Sequence, residues 1–96
     1  MNAPRINEAE IARIMRELVA TRGPARTICP SEVARAMAGP DEKLWSRLMQ
    51  PVRQAAVRLA KAGEVTIMRK GKPADPDDFR GVYRIGAGPE GGRDSD

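Results

Sequence analysis

With 96 residues, a net charge of +4 and one residue each of Trp, Tyr and Phe, the chain has room for one small domain with an aliphatic core. It has no histidine and one cysteine, which excludes an internal disulfide and removes the commonest general base and metal ligand. No stretch approaches the roughly 20 apolar residues of a membrane span, and the start of the chain lacks the apolar segment of a secretory signal. We therefore expect a cytoplasmic protein without membrane contact.

Residues 1–6 are expected to form a flexible arm that precedes a folded domain over residues 7–86. Asn7 has the character of a helix N-cap, with Glu10 completing a variant of the capping box. The Gly23-Pro24 pair should end this first helix near Thr21 or Arg22. Its apolar face consists of Ile11, Ile14, Met15, Leu18 and Val19.

A short strand and a second helix are predicted next. Residues 26–28 favour an extended conformation. Pro30 suits the first position of a helix, with Glu32 in its first turn. Gly39-Pro40 should end this helix, whose apolar face contains Val33, Ala34 and Met37.

The third helix has two opposite stripes at helical spacing. The apolar stripe consists of Leu48, Val52, Ala55, Ala56 and Leu59. The polar stripe consists of Arg47, Gln50, Gln54, Arg58 and Lys61. Pro51 cannot lie inside a regular helix. Either residues 44–50 form a separate turn, or the helix kinks; Pro51 fits best in the first turn of a helix that runs to Ala62.

Two strands are predicted after this helix, over residues 65–68 and 82–85, with a turn at Lys70-Gly71-Lys72-Pro73. Asp75-Pro76-Asp77-Asp78 has the pattern of an N-cap and first turn of a very short helix. The chain from Gly86 on is rich in Gly, Pro and charge, and residues 87–96 are expected to be a disordered tail.

The order of these elements predicts an α+β fold of the winged helix-turn-helix type. It has three helices and a small antiparallel sheet made of a wing hairpin and one short strand. No internal repeat and no second domain is indicated.

Several motifs along the folded region also point to a known family. They include Thr27-Ile28-Cys29-Pro30-Ser31-Glu32-Val33-Ala34, Trp45, Leu48-Met49, Pro51-Val52-Arg53, Ala55-Ala56, Leu59, Gly63, Arg69, Gly71, Pro73, Asp75-Pro76, Arg80-Gly81 and Arg84. From about Glu8 to Ile85 the chain resembles a small bacterial family of uncharacterised winged-helix proteins, classed as a domain of unknown function. The resemblance implies the fold and supplies no reaction or ligand.

Positive charge is concentrated in residues 41–70, which carry seven basic and three acidic residues. In helix-turn-helix proteins the third helix enters the major groove of DNA, so the leading hypothesis is duplex DNA binding by this helix and the wing. The candidate residues are Arg47, Gln50, Arg53, Gln54, Arg58, Lys61, Arg69, Lys70 and Lys72. The alternative is a module for protein–protein interaction or oligomerisation, as a homodimer for example, without DNA binding.

Other side chains favour structural roles over chemistry. The acids Asp75, Asp77 and Asp78 would repel phosphates, and they fit capping and pairing with Arg69, Arg80 or Arg84 better than a metal site. Cys29 fits a small buried residue better than a redox sensor. Trp45 fits a core plug. We predict no enzymatic activity, no cofactor and no metal.

Overall fold

The computed structural model describes residues 7–89; the predicted arm over residues 1–6, and residues 90–96 of the predicted tail, lie outside the described residues. Over this range the fold is α+β, with three long helices, one single-turn helix and a four-stranded antiparallel sheet, an arrangement compatible with a winged helix. The helices are α1 (Glu8–Arg22), α2 (Pro30–Ala38), α3 (Glu42–Trp45) and α4 (Met49–Lys61). The strands are β1 (Thr27–Ile28), β2 (Val65–Arg69), β3 (Lys72–Pro73) and β4 (Arg84–Ala87).

The start of α1 follows the local pattern. The Asn7 side chain accepts a hydrogen bond from the Glu10 backbone N–H at 3.2 Å, which confirms Asn7 as the N-cap. The Glu10 carboxylate pairs with Arg13 instead of closing the predicted capping box. This salt bridge and the hydrogen bond within it lower the pKa of Glu10.

A polar cluster joins the end of α1 to β1 and the start of α2. Pro30 is the first residue of α2, as predicted, and Cys29 is its N-cap. The Glu32 carboxylate accepts from the Cys29 backbone N–H at 2.9 Å and pairs with Arg22, which also donates to the Thr27 carbonyl. Burial alone would raise the pKa of Glu32, but the Cys29 hydrogen bond and the Arg22 charge hold it below the ordinary value.

Pro51 decides where α4 begins. The segment before α4 consists of α3 and a 3-10 turn at Ser46–Leu48, so the separate-turn alternative is correct. Pro51 is the third residue of α4, where a backbone N–H has no partner within the helix and its loss costs little. Arg47 lies in the 3-10 turn and not in α4.

The sheet has the order β1-β4-β2-β3, so β4 is a central strand. It pairs with β1 through Ile28 and Ile85, and with β2 through Ile67 and Ile85. These three isoleucines are fully buried and face the helices. The core that they share with α1, α2 and α4 consists of Ile11, Met15, Val19, Ile28, Val33, Ala34, Val52, Ala55, Ala56, Leu59, Val65, Ile67, Phe79, Tyr83 and Ile85.

The last strand lies two residues later than predicted. Val82 is outside β4 and 82% exposed, whereas Gly86, beyond the predicted strand, and Ala87, assigned to the tail, belong to β4. The packing is close at Gly86, because a Cβ there would lie 3.3 Å from Thr27 Cγ2. Glycine therefore signals a close approach of β1 and β4 here, not the end of the folded region.

The prediction of a short helix at residues 75–78 is also wrong. The Asp75 side chain accepts from the Asp77 N–H and its carbonyl accepts from the Asp78 N–H, both at 2.9 Å, so Asp75 caps a single turn. The next residue, Phe79, is buried and takes the chain back toward α4. Residues 74–83, called the wing loop below, contain no helix or strand.

We expect Gly88→Ala to destabilise the protein by roughly 2 kcal/mol or more, because the added Cβ would displace the neighbouring backbone of residues 63–65. A Cβ there would lie 2.5 Å from the Gly63 carbonyl oxygen. Gly86→Ala, whose Cβ meets a movable methyl group, should cost about 1 kcal/mol or less. Urea unfolding of both variants measures the difference, and an equal or larger loss for Gly86→Ala would contradict this account of the strand end.

Candidate nucleic-acid interface

The exposed face of α4 consists of the predicted polar stripe. Gln50, Gln54, Arg58 and Lys61 are all exposed. On the opposite side Val52, Ala55, Ala56 and Leu59 are buried against α1, α2 and β2. Arg47 is exposed in the turn that precedes the helix, so it continues the stripe beyond the helix N-terminus.

Two acids neutralise the cations of the C-terminal half of α4. Arg58 pairs with Glu8 of α1 at 3.0 Å, and Lys61 pairs with Asp77 of the wing loop at 2.7 Å. Both pairs are solvent-exposed, and such pairs contribute about 0–1 kcal/mol. Each cation can therefore exchange its carboxylate for another anion at small cost.

Arg53 has an internal role that the sequence prediction did not anticipate. Its guanidinium lies 3.8 Å from the centre of the Phe79 ring and 5.7 Å from that of Tyr83. It also donates to the Phe79 carbonyl at 2.8 Å and is only partly exposed. Arg53 thus positions the wing loop on α4 and is not part of the freely exposed stripe. The one feature of the sequence that could have indicated this contact is Phe79, an isolated aromatic residue within a polar segment.

The two aromatic rings of the wing loop, Phe79 and Tyr83, pack edge to face with their centres 5.1 Å apart, next to Arg53. Burial raises the pKa of the Tyr83 phenol to about 12, and the neighbouring Arg53 charge opposes that rise. The Tyr83 hydroxyl is buried and finds no hydrogen-bond partner within the described residues. The pair therefore anchors the loop mainly through apolar and cation–π contact.

The β2–β3 hairpin places two lysines at its tip. Lys70 and Gly71 have φ angles of 52° and 81°, the pattern of a two-residue type I′ turn. Lys70 and Lys72 are exposed. Arg69 is only partly exposed and donates to the Val82 carbonyl at 2.7 Å.

The acids of the wing loop do not pair as predicted. The expected partners were Arg69, Arg80 and Arg84, but Asp77 pairs with Lys61. Arg84 donates instead to the Thr27 hydroxyl and carbonyl. Arg84 lies on β4 next to β1, where it bonds Thr27, and the contact of Phe79 with Arg53 of α4 places Asp77 beside Lys61.

Trp45 and Cys29 are both partly buried. Trp45 is partly buried against the core, as the core-plug prediction requires, and the Arg35 guanidinium lies 5.1 Å from its ring centre. Cys29 is only partly buried, and its Sγ lies 3.0 Å from the Ser31 hydroxyl.

The chain belongs to a family described as "Protein of unknown function (DUF3253)", whose model matches residues 8–88. This confirms the resemblance to an uncharacterised family. A search of curated proteins finds no match. Among the described residues no helix is long and apolar enough to cross a membrane.

We expect Arg53→Lys to destabilise the domain by about 1 kcal/mol, because an ammonium group cannot stack flat on Phe79 while bonding its carbonyl. The matched control is Arg47→Lys, an exposed residue whose replacement should change stability by less than about 0.5 kcal/mol. Urea unfolding gives both values. Equal stability of the two variants would show that the stack does not hold the wing loop.

Proposed function

We propose that this winged-helix-like domain binds duplex DNA through α4 and the β2–β3 hairpin. The observation that supports this proposal is that the side chains in the first half of the α4 stripe are exposed and unpaired within the described residues. Arg47, Gln50 and Gln54 are exposed, and within residues 7–89 none of them pairs with another side chain. Their side chains are therefore free to meet a ligand.

The position of these residues suits base contact. A recognition helix lies in the major groove, about 12 Å wide, and its N-terminal residues reach the base edges. Glutamine amides can bond adenine through two hydrogen bonds, and arginine can bond guanine or phosphate. Gln50 and Gln54 are one helical turn apart, so both side chains can point into one groove.

The C-terminal half of α4 and the hairpin would supply phosphate contacts. Lys70 and Lys72 form no ion pair within the described range. Arg58 and Lys61 would contact phosphate by exchanging Glu8 and Asp77 for it. The acids therefore lower the affinity of the site without blocking it, which favours modest, salt-sensitive binding.

The test is fluorescence anisotropy with a labelled duplex of mixed sequence at 50 and 200 mM salt. About four phosphate contacts predict a loss of affinity of roughly 100-fold over that range. Arg47→Ala should weaken binding about fivefold to tenfold. The control is Arg26→Ala, which removes the same charge from the loop between α1 and β1 and should have a small effect. Binding that is unchanged by Arg47→Ala would exclude the turn before α4, and with it the N-terminal end of the polar stripe, from the DNA contact.

Removing the competing acids should strengthen DNA binding. In Glu8→Gln and Asp77→Asn, Arg58 and Lys61 lose their carboxylate partners and become available to phosphate, so we expect each variant to bind about threefold more tightly. Glu17→Gln is the matched control, because it also removes one acid from a surface ion pair, with Arg13, on α1. If all three variants gain equally, only net charge matters and the specific pairs have no role.

A further inference from the structure

The face of the sheet opposite the helices contains a groove beside the hairpin. Side chains alternate along a strand. Since Ile28, Ile67 and Ile85 point into the core, their neighbours in the strands point the other way. The groove has a volume of about 510 Å³. Thr27, Met68 and Arg84 line it from this outer face, and Arg69, Lys70 and Val82 line it from the end of the sheet beside the hairpin.

The cations of this groove are held by neutral groups. Arg84 donates from Nε to the Thr27 hydroxyl at 2.7 Å and from Nη2 to the Thr27 carbonyl at 3.1 Å. Arg69 donates from Nη1 to the Val82 carbonyl at 2.7 Å. No carboxylate is among the described residues that line the groove. The Glu32 carboxylate lies within electrostatic range of Arg84 but pairs directly with Arg22, so the groove keeps a net positive charge. Both guanidinium groups keep further N–H donors, already held in place for an oxyanion.

The groove also has an exposed apolar wall. Val82 is 82% exposed, and the one other exposed large apolar side chain in residues 7–89, Leu44, is only 47% exposed. Gly81, with a φ of 81°, turns the backbone just before it, and a Cβ there would lie 3.4 Å from the Arg69 guanidinium. Met68 completes the apolar surface and is only partly buried. Apolar contact and fixed positive charge therefore lie together in one groove.

We propose that this groove binds an acidic, extended peptide segment of a partner protein. Its carboxylates would pair with Arg69 and Arg84, and an apolar side chain between them would cover Val82 and Met68. The charge of the groove selects an acidic ligand, and its apolar wall favours a peptide over a phosphate backbone, which offers no apolar side chain. The groove shares Lys70 with the proposed DNA-binding hairpin, but none of its walls comes from the α4 stripe.

The probe is a short fluorescent peptide of alternating Glu and Leu, added to the full chain and followed by anisotropy. Its Gln–Leu and Glu–Ser analogues test the charge and the apolar side chain separately. We expect saturable binding of the Glu–Leu peptide and at least about tenfold weaker binding of each analogue. Equal binding of the Gln–Leu peptide would overturn the role of the arginines.

Two variants test the groove itself. Val82→Ser changes an exposed residue outside any strand, so it should preserve the fold while weakening peptide binding about fivefold. Arg84→Gln should weaken it about tenfold, and Lys43→Gln, which removes one charge from α3, should leave it unchanged.

Competition with unlabelled duplex DNA separates the two faces. Because Lys70 borders both surfaces, we expect the duplex to displace the peptide only in part, and Val82→Ser to bind DNA as the original protein does. Complete displacement of the peptide by DNA, together with weaker DNA binding by Val82→Ser and Arg84→Gln, would assign the groove to nucleic acid and overturn the proposal. Unaltered peptide binding by Val82→Ser would also overturn the proposal.

Discussion

The contact between Arg53 and Phe79 determines how the second half of the molecule is arranged. The wing loop has no helix or strand, so side chains must fix its path. The Arg53 guanidinium stacks on the Phe79 ring and bonds the same residue's carbonyl, which holds both the side chain and the backbone. Tyr83 packs edge to face against Phe79 and leads directly into β4. The loop is thereby attached to α4 at one end and to the sheet at the other.

Both candidate surfaces depend on this attachment. With Phe79 held on α4, Asp77 lies beside Lys61 and neutralises the end of the polar stripe. With Tyr83 pointing into the core, Val82 points into solvent beside the Arg69 guanidinium. The same loop thus limits the positive charge of the α4 face and builds one wall of the groove on the opposite face of the sheet. A domain of this size can in this way present two surfaces of different chemistry.

The elements that depend on neighbouring residues were predictable from the sequence. The Asn7 cap, Pro30 at the start of α2 and the break before α4 imposed by Pro51 all follow from backbone hydrogen bonding within one turn of helix. The polar stripe of α4 follows equally from helical spacing. The physical causes of these features lie within one or two helical turns, so they can be recognised from the sequence of one chain.

The features that depend on distant residues were not predictable in the same way. β4 begins two residues late because its register is set by pairing with both β1 and β2, where Gly86 lies close to Thr27. The partners of Arg53, Arg58 and Lys61 come from other elements, 26 residues away for Arg53 and Phe79. Residue type alone therefore identified the candidate side chains of α4 but not which of them are free.

We propose that DNA binds the free part of the α4 stripe together with the hairpin tip. Amide NMR of the isotope-labelled protein, titrated with a short duplex, tests it residue by residue. We expect the duplex to change the amide chemical shifts mainly at Arg47, Gln50, Gln54, Lys70 and Lys72, and to leave those of Thr27 and Val82 unchanged. Shifts confined to the sheet face around Val82 and Arg84, or no shifts at low salt, would contradict it.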